Sequence, residues 1–271
     1  MKFSIVIASY KSGDRIRNSL SSLKAQTFED FEVLIQESAT VSEIACIVDE
    51  YNFGSRVSHQ VENDSGIYDA WNKAIKRARG DWVLFLGDDD ALKDEDTLSL
   101  VDRDLSSITS ETEIVYGKVV RCLAEDGGAI EMGESWDSVK SILDRCNPIP
   151  HQGVFHRRSM FDVRGFDSTF KICADYVFLY PSLKSKEPIF MPYVVAKMAH
   201  GGVSTSMRSQ YKVRKELVRA YDQLGVAENF VLARVRGLTA FMKTFSSILA
   251  GEETSSKIFY LVKNIFRARV Y

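Results

Sequence analysis

Cysteine is scarce in this chain, four residues in 271, and none of the four stands in a Cys-x-x-Cys pair or beside paired histidines. Cys46, Cys122, Cys146 and Cys173 therefore give neither a zinc framework nor a disulfide scaffold, and they are expected as buried thiols of a reducing compartment. Long apolar runs are missing too: no stretch approaches the ~18 consecutive apolar residues that span a bilayer. The apolar part of the opening MKFSIVIASY is too short for a secretory signal and fits a first strand instead. One-sided charge is also absent. A formal net charge of −2, and no basic stripe with interleaved aromatics in the first 200 residues, argue against nucleic acid as a partner. What the chain does have is 45% hydrophobic residues over a length suited to one large or two small domains.

The most informative segment is DWVLFLGDDD at 81–90, a short apolar run that ends in three consecutive carboxylates. The run is too brief for a helix and reads as a buried strand. Adjacent carboxylates repel one another unless a hard divalent cation offsets the repulsion. The acids stand at the strand's carboxyl end, where open α/β sheets bind ligands. Upstream, a strand pattern over 3–10 precedes a helical periodicity through Ile16, Leu20 and Leu23. A second strand over 31–36 ends at Glu37 and Ser38. A helix around 41–51, a strand near 57–61 and the segment 62–73 follow. This alternation predicts a parallel sheet with crossover helices.

The order SIVIASY, a strand ending in an acid, NDSGIYDAWNKAIKRARGDWVLFLGDDD, then HQGVFHRRSMFDVRGFD and CADYVF, resembles the family 2 nucleotide-sugar glycosyltransferases of the GT-A fold. Within that family the chain is most similar to bacterial enzymes that build surface polysaccharides. The resemblance covers roughly the first 205 residues. It implies an α/β, Rossmann-like, mixed and mostly parallel sheet flanked by helices. The implied catalytic domain, 1–205, divides into a nucleotide-binding half, 1–100, and an acceptor half, 101–205, with a helical extension over 206–271. It also implies a cytoplasmic, inverting enzyme that uses Mn2+ or Mg2+, takes a nucleoside-diphosphate sugar, a UDP-sugar foremost, and serves a glycan or lipid-linked acceptor.

Residue by residue, the ends of the first two strands, Ser9, Tyr10 and Glu37, lie side by side in a parallel sheet and suit a platform for the base. The family's second strand usually ends in aspartate; here Glu37 carries one more methylene. Asp64 either caps the helix that begins near Ser65 or, by resemblance, faces the base, with Asn72 on that helix flanking the nucleotide. In the acidic run, two alignments of the motif converge on Asp90 as metal ligand, leaving Asp88 and Asp89 to orient ribose or support the ion through water. His200, ahead of a Gly-Gly-Val-Ser loop, is a second candidate ligand.

An inverting displacement needs a carboxylate to take the acceptor's proton. Asp175 is the candidate, and in the resembling enzymes the acid at this place is the general base. It also suits the N-cap of a helix over 176–183. His151 and Gln152, by resemblance, face the acceptor or donor sugar. The last segment, 257–271, has four basic and no acidic residues among bulky apolar ones. It fits either a helix lying on an anionic membrane or an ordinary packed terminal helix. Two other classes compete with this reading. A sugar nucleotidyltransferase calls for a glycine- and arginine-rich phosphate loop, of which residues 9–13 are a poor version. A non-catalytic sugar or nucleotide binder has no need of both Asp90 and Asp175.

Overall fold

The computed structural model describes residues 1–123, 128–199, 206–228, 230–251 and 254–255. In chain order the elements are β1 (Phe3–Ser9), α1 (Ile16–Lys24), β2 (Phe31–Glu37), α2 (Ala45–Glu50), β3 (Val57–Val61), α3 (Ile67–Ile75), β4 (Trp82–Leu86), β5 (Ala91–Leu92) and α4 (Thr97–Leu105). Then come β6 (Ile114–Cys122), β7 (Ala129–Met132), α5 (Trp136–Val139), β8 (Val154–Arg157), α6 (Met160–Val163), α7 (Ala174–Ser185), β9 (Ile189–Met198), α8 (Gln210–Leu224) and α9 (Phe230–Ala250). The chain divides into two compact units, Met1–His200 and Gly201–Tyr271.

One mixed sheet organises the first unit, with strand order β3-β2-β1-β4-β8-β6-β9-β5 and β7 paired to β6. The strands β3, β2, β1 and β4 run parallel; β8 joins β4 and β6 antiparallel. The central strands are apolar without alternation because helices cover both faces: Phe3, Ile5, Val6 and Ile7 of β1 and Val83, Leu84, Phe85 and Leu86 of β4 are wholly buried. On α1 the spacing of Ile16, Leu20 and Leu23 puts one buried stripe on the sheet. Glu32, buried in β2, is tolerated because Ser4 Oγ donates to it at 2.8 Å, the Arg79 amide at 2.6 Å and the Arg79 guanidinium at 2.7 Å.

The chain leaves β1 towards β2 on one side and returns through α3 to β4 on the other. The β1–β4 boundary is therefore a topological switch point, and the crevice lies at the carboxyl ends of these strands.

Several local expectations need correction. The helix expected around 41–51 is confined to Ala45–Glu50, because the Ser42 hydroxyl and the Glu43 amide are both turned onto the Glu37 carboxylate. The helix α7 starts at Ala174 with Cys173 as its cap, so Asp175 lies inside the first turn and is not the N-cap. Of the four thiols expected to be buried, only Cys173 is; Cys46 and Cys122 are exposed and Cys146 is half-buried.

In the second unit, α8 stops at Gly225, whose φ of +67° is the left-handed value that glycine adopts freely. Glu228 then accepts from Arg214 of α8 and, at 2.8 Å, from Arg236 of α9, tying the two helices together. Among the described residues no helix is long and apolar enough to cross a membrane. The basic segment 257–271 and His200 lie outside the described residues.

Candidate active site

The acidic turn after β4 is held from below by α1. Ser19 Oγ lies 3.0 Å from the carbonyl oxygen of Gly87 and 2.5 Å from that of Asp90, and Asn18 Nδ2 donates to the carbonyl of Asp89 at 2.7 Å. Asp90 is only 4% exposed, and its carboxylate folds back on its own turn. Oδ2 accepts the Gly87 N–H at 2.9 Å and Oδ1 the Ala199 N–H at 3.1 Å. Glycine at 87 lets this carboxylate fold in, since a Cβ there would stand 2.7 Å from Asp90 Oδ2 and oblige it to shift. Burial pushes the Asp90 carboxyl up to about 6 against the pull of these two amides, and Asp89 and Asp88 add to the push.

Asp88 is half-buried and faces the β1–α1 loop. Its Oδ2 accepts the Ser12 hydroxyl and lies 3.6 Å from Arg15. Burial raises its pKa, opposed by Ser12 and Arg15. Ser12 Oγ in turn lies 2.7 Å from Ser9 Oγ, so buried Ser9 at the end of β1 and Asp88 after β4 are linked through one hydroxyl. Tyr10, by contrast, is 62% exposed at the same edge.

Glu37 pairs with Ser9 across β1 and β2, but its carboxylate is fully engaged. It accepts from Ser42 Oγ at 2.6 Å and the Glu43 N–H at 2.8 Å, and His59 Nε2 lies 2.8 Å away. In this arrangement it holds its own loop. Asp64 Oδ1 accepts the Gly66 N–H at 2.8 Å in a turn two residues ahead of α3. The C-terminal edge of β3-β2-β1-β4 thus gathers Asp64, Ser9, Tyr10 and the Asp88–Asp89–Asp90 turn.

Asn72 is not part of that edge. Its Nδ2 donates to the Phe166 carbonyl at 2.8 Å while its Oδ1 accepts the Phe166 N–H at 2.9 Å. One donor and one acceptor of the amide hold backbone across the fold, so Asn72 clamps the loop at Phe166. His151 is held among aromatic rings. It is buried, its ring centroid 5.1 Å from Trp71 and 5.4 Å from Phe85 in stacked geometry, and burial pushes its pKa down to about 3. It is a neutral member of an aromatic cluster with Phe166 and His156, its Nε2 lacking a partner among the described residues. Gln152 is half-buried beside it.

Asp175 forms a second centre. Tyr68 Oη of α3 lies 3.2 Å from its Oδ1, and Asn147 Nδ2 donates to its Oδ2 at 3.1 Å. Burial is the main cause that raises its pKa above the usual carboxylate range, the direction a general base at neutral pH needs. Sequence reasoning missed Ser12, Ser19, Tyr68 and Asn147. Tyr68 sits within the GIYDA phrase already noted, and Asn147 directly precedes Pro148; nothing marks Ser12 or Ser19.

The acid turn offers hard oxygen donors in the chemistry that Mg2+ or Mn2+ accepts, through one or two carboxylates with water and phosphate oxygens completing the shell. Among the described residues no group of three or more His, Cys, Asp or Glu forms a ready-made cluster. The residues fit an ion shared with a ligand's phosphates and not one caged by protein alone. A cleft of about 850 Å3 lined by Asn18, Ser22, Lys93, Lys197 and Ala199 contains none of the acidic side chains above.

The chain is 30% identical over 246 residues to a PGL/p-HBAD biosynthesis glycosyltransferase of Mycobacterium tuberculosis, spanning 86% of this chain and 90% of that protein. In fold it matches the crystal structure of Staphylococcus aureus TarS 1-349 in complex with UDP-GlcNAc, with TM-score 0.63 and 19% identity over 91% of this chain and 73% of that one. It also matches the mannosyltransferase PcManGT from Pyrobaculum calidifontis in complex with GDP-Man and Mn2+, with TM-score 0.63 and 14% identity over 97% and 80% of the two chains. Both confirm the GT-A architecture expected from the sequence. The model of the glycosyl transferase family 2 matches residues 4–161, more than half of the chain, and the protein belongs to that family.

Proposed function

We propose that this glycosyltransferase inverts the anomeric centre of a nucleoside-diphosphate sugar, a hexose or N-acetylhexosamine, and transfers it to a hydroxyl of a glycan or lipid-linked acceptor in the making of a bacterial surface glycoconjugate. The observation that carries the reading is the pairing of two acidic centres of different character. One is the acid turn at the switch point of the sheet, beside exposed Tyr10. The other is the half-buried carboxyl of Asp175, reached through Tyr68 on the helix that follows Asp64.

In this reading Tyr10 stacks on the base, Asp64 and Asp88 hold base and ribose, and Ser9 keeps Asp88 in place. Asp89 and Asp90 would hold Mg2+ or Mn2+, which when bound neutralises the charge of the leaving diphosphate. Asp175 takes the proton from the acceptor hydroxyl. The hydroxyl oxygen bonds to the anomeric carbon, and the bond from that carbon to the diphosphate oxygen breaks with its electron pair leaving on the nucleotide. Gln152 would meet the sugar. The PcManGT complex contains GDP-Man and Mn2+, and TarS was crystallised with UDP-GlcNAc; both support a nucleotide-sugar donor here.

A thermal-shift panel of nucleotide sugars, with and without Mn2+, tests the reading. One nucleotide sugar should raise the melting temperature in a metal-dependent way, and a response equal to that with free sugar contradicts it. The basic segment 257–271 is proposed to touch an anionic membrane surface. Full-length protein should then sediment with anionic vesicles and a chain truncated after Ser256 should not; equal sedimentation contradicts this part.

A further inference from the structure

We infer that Tyr68 and Asn147 are positioning residues for Asp175, fixing its carboxylate and partnering it in both its ionised and its protonated form. The inference rests on the reading of Asp175 as the base. Its two oxygens are met from segments far apart in the chain: Asn147 at 3.1 Å on Oδ2 and Tyr68 at 3.2 Å on Oδ1. The Asn147 amide cannot turn over without loss, because its Oδ1 already accepts the Ile149 N–H at 3.3 Å. Its NH2 group is thereby committed to Asp175.

Tyr68 is placed to do something a plain tether does not. Its Oη lies 2.6 Å from the Ile172 carbonyl oxygen as well as 3.2 Å from Asp175 Oδ1. A phenol has one hydrogen and serves one of these acceptors at a time, while its oxygen can also accept. When Asp175 is ionised, the hydrogen is drawn to the carboxylate in a charge-assisted bond. When a proton from the acceptor hydroxyl arrives on Oδ1, that new O–H donates to the Tyr68 oxygen and the phenol hydrogen turns to Ile172. No buried polar atom of the pair goes unmet in either state. If Tyr68 only anchored the loop before α7, the Ile172 bond would suffice.

The titratable groups acting on this pair are Tyr68 and Asp175 themselves and the Cys173 thiol ahead of α7. Burial and the nearby carboxylate hold the phenol far above its ordinary pKa, so it remains a donor throughout the working range. Asn147 carries no charge.

The test is the pH profile of kcat for the full chain with Tyr68→Phe and with Asn147→Ala, alongside Asp175→Asn and calorimetric donor affinity. Phenylalanine keeps the ring contacts to Trp71 and Phe166. Each positioning variant should lower kcat about tenfold, the scale of one charge-assisted hydrogen bond, with donor affinity unchanged. Each should also move the acid limb to higher pH, because an ionised carboxylate that loses a donor is less stabilised. An unmoved acid limb with normal kcat in Tyr68→Phe overturns the inference, and decides it alone if Asn147→Ala fails to fold. Near-normal turnover in Asp175→Asn overturns the reading of the base itself, which is a different failure.

Discussion

Replacing Asn72 by alanine removes both hydrogen bonds that clamp the backbone of Phe166, and the consequences separate a structural amide from a nucleotide contact. Phe166 is 4% exposed and packs within an aromatic cluster whose ring centroids lie 5.6 Å away at Tyr68, 5.4 Å at Trp71 and 4.7 Å at Phe178. Its N–H and C=O, paired at 2.9 and 2.8 Å, have nowhere else to turn once the amide is gone. A buried polar group left unmet costs about 1–3 kcal/mol, so two at this half-buried place cost roughly 2–4 kcal/mol together. The close approach of the loop sharpens the effect, since an added Cβ on Gly165 would lie only 2.8 Å from Asn72 Oδ1. Urea denaturation followed by tryptophan fluorescence reads the loss directly, because buried Trp71 is the neighbouring residue. Calorimetry with nucleoside diphosphate supplies the second axis. The expected result is a lower unfolding midpoint with unchanged nucleotide affinity in the remaining folded protein. An unchanged midpoint with lost nucleotide affinity refutes the clamp and restores Asn72 to the donor site.

Asp90→Asn should lose the Mn2+-dependent part of nucleoside-diphosphate affinity and cost about 1–3 kcal/mol, because one amide N–H of Gly87 or Ala199 then faces an NH2 group; calorimetry showing unchanged Mn2+ dependence contradicts the assignment. His151→Phe should lessen acid sensitivity. A histidine held down to about 3 in the fold and near 6.5 when unfolded leaves the unfolded chain binding more protons as pH falls below about 6.5, so stability drops by about 1.4 kcal/mol per pH unit. The variant's unfolding free energy should therefore fall roughly 2 kcal/mol less than wild type between pH 7.5 and 5, a difference in which its packing cost cancels; equal falls contradict a buried neutral imidazole.

What the sequence could disclose followed from physical context. The runs of β1 and β4 were legible because central parallel strands are buried on both faces and lose the alternation that would hide them among loops. The acids of 88–90 stand out in the sequence because three adjacent carboxylates directly after an apolar strand repel one another. The structural partners of Asn72 and His151 were not legible for the opposite reason: an amide or an imidazole suits a ligand and a packed interior equally well. The partner that decides between them, Phe166 in one case and the rings of Trp71 and Phe85 in the other, lies across the fold. The partners of Glu37 were hidden similarly, since Ser42 and His59 meet it only once loop and strand are in place.

The measurement closest to the central claim compares wild type with Asp175→Asn in sugar transfer and in donor binding. The side chain is nearly isosteric, and Tyr68 can still donate to the remaining oxygen. The account predicts unchanged donor affinity by calorimetry and a transfer rate lower by a factor of about 10² or more, the usual scale for loss of a general base. Near-normal transfer by the variant, with the donor bound as tightly as before, would contradict it.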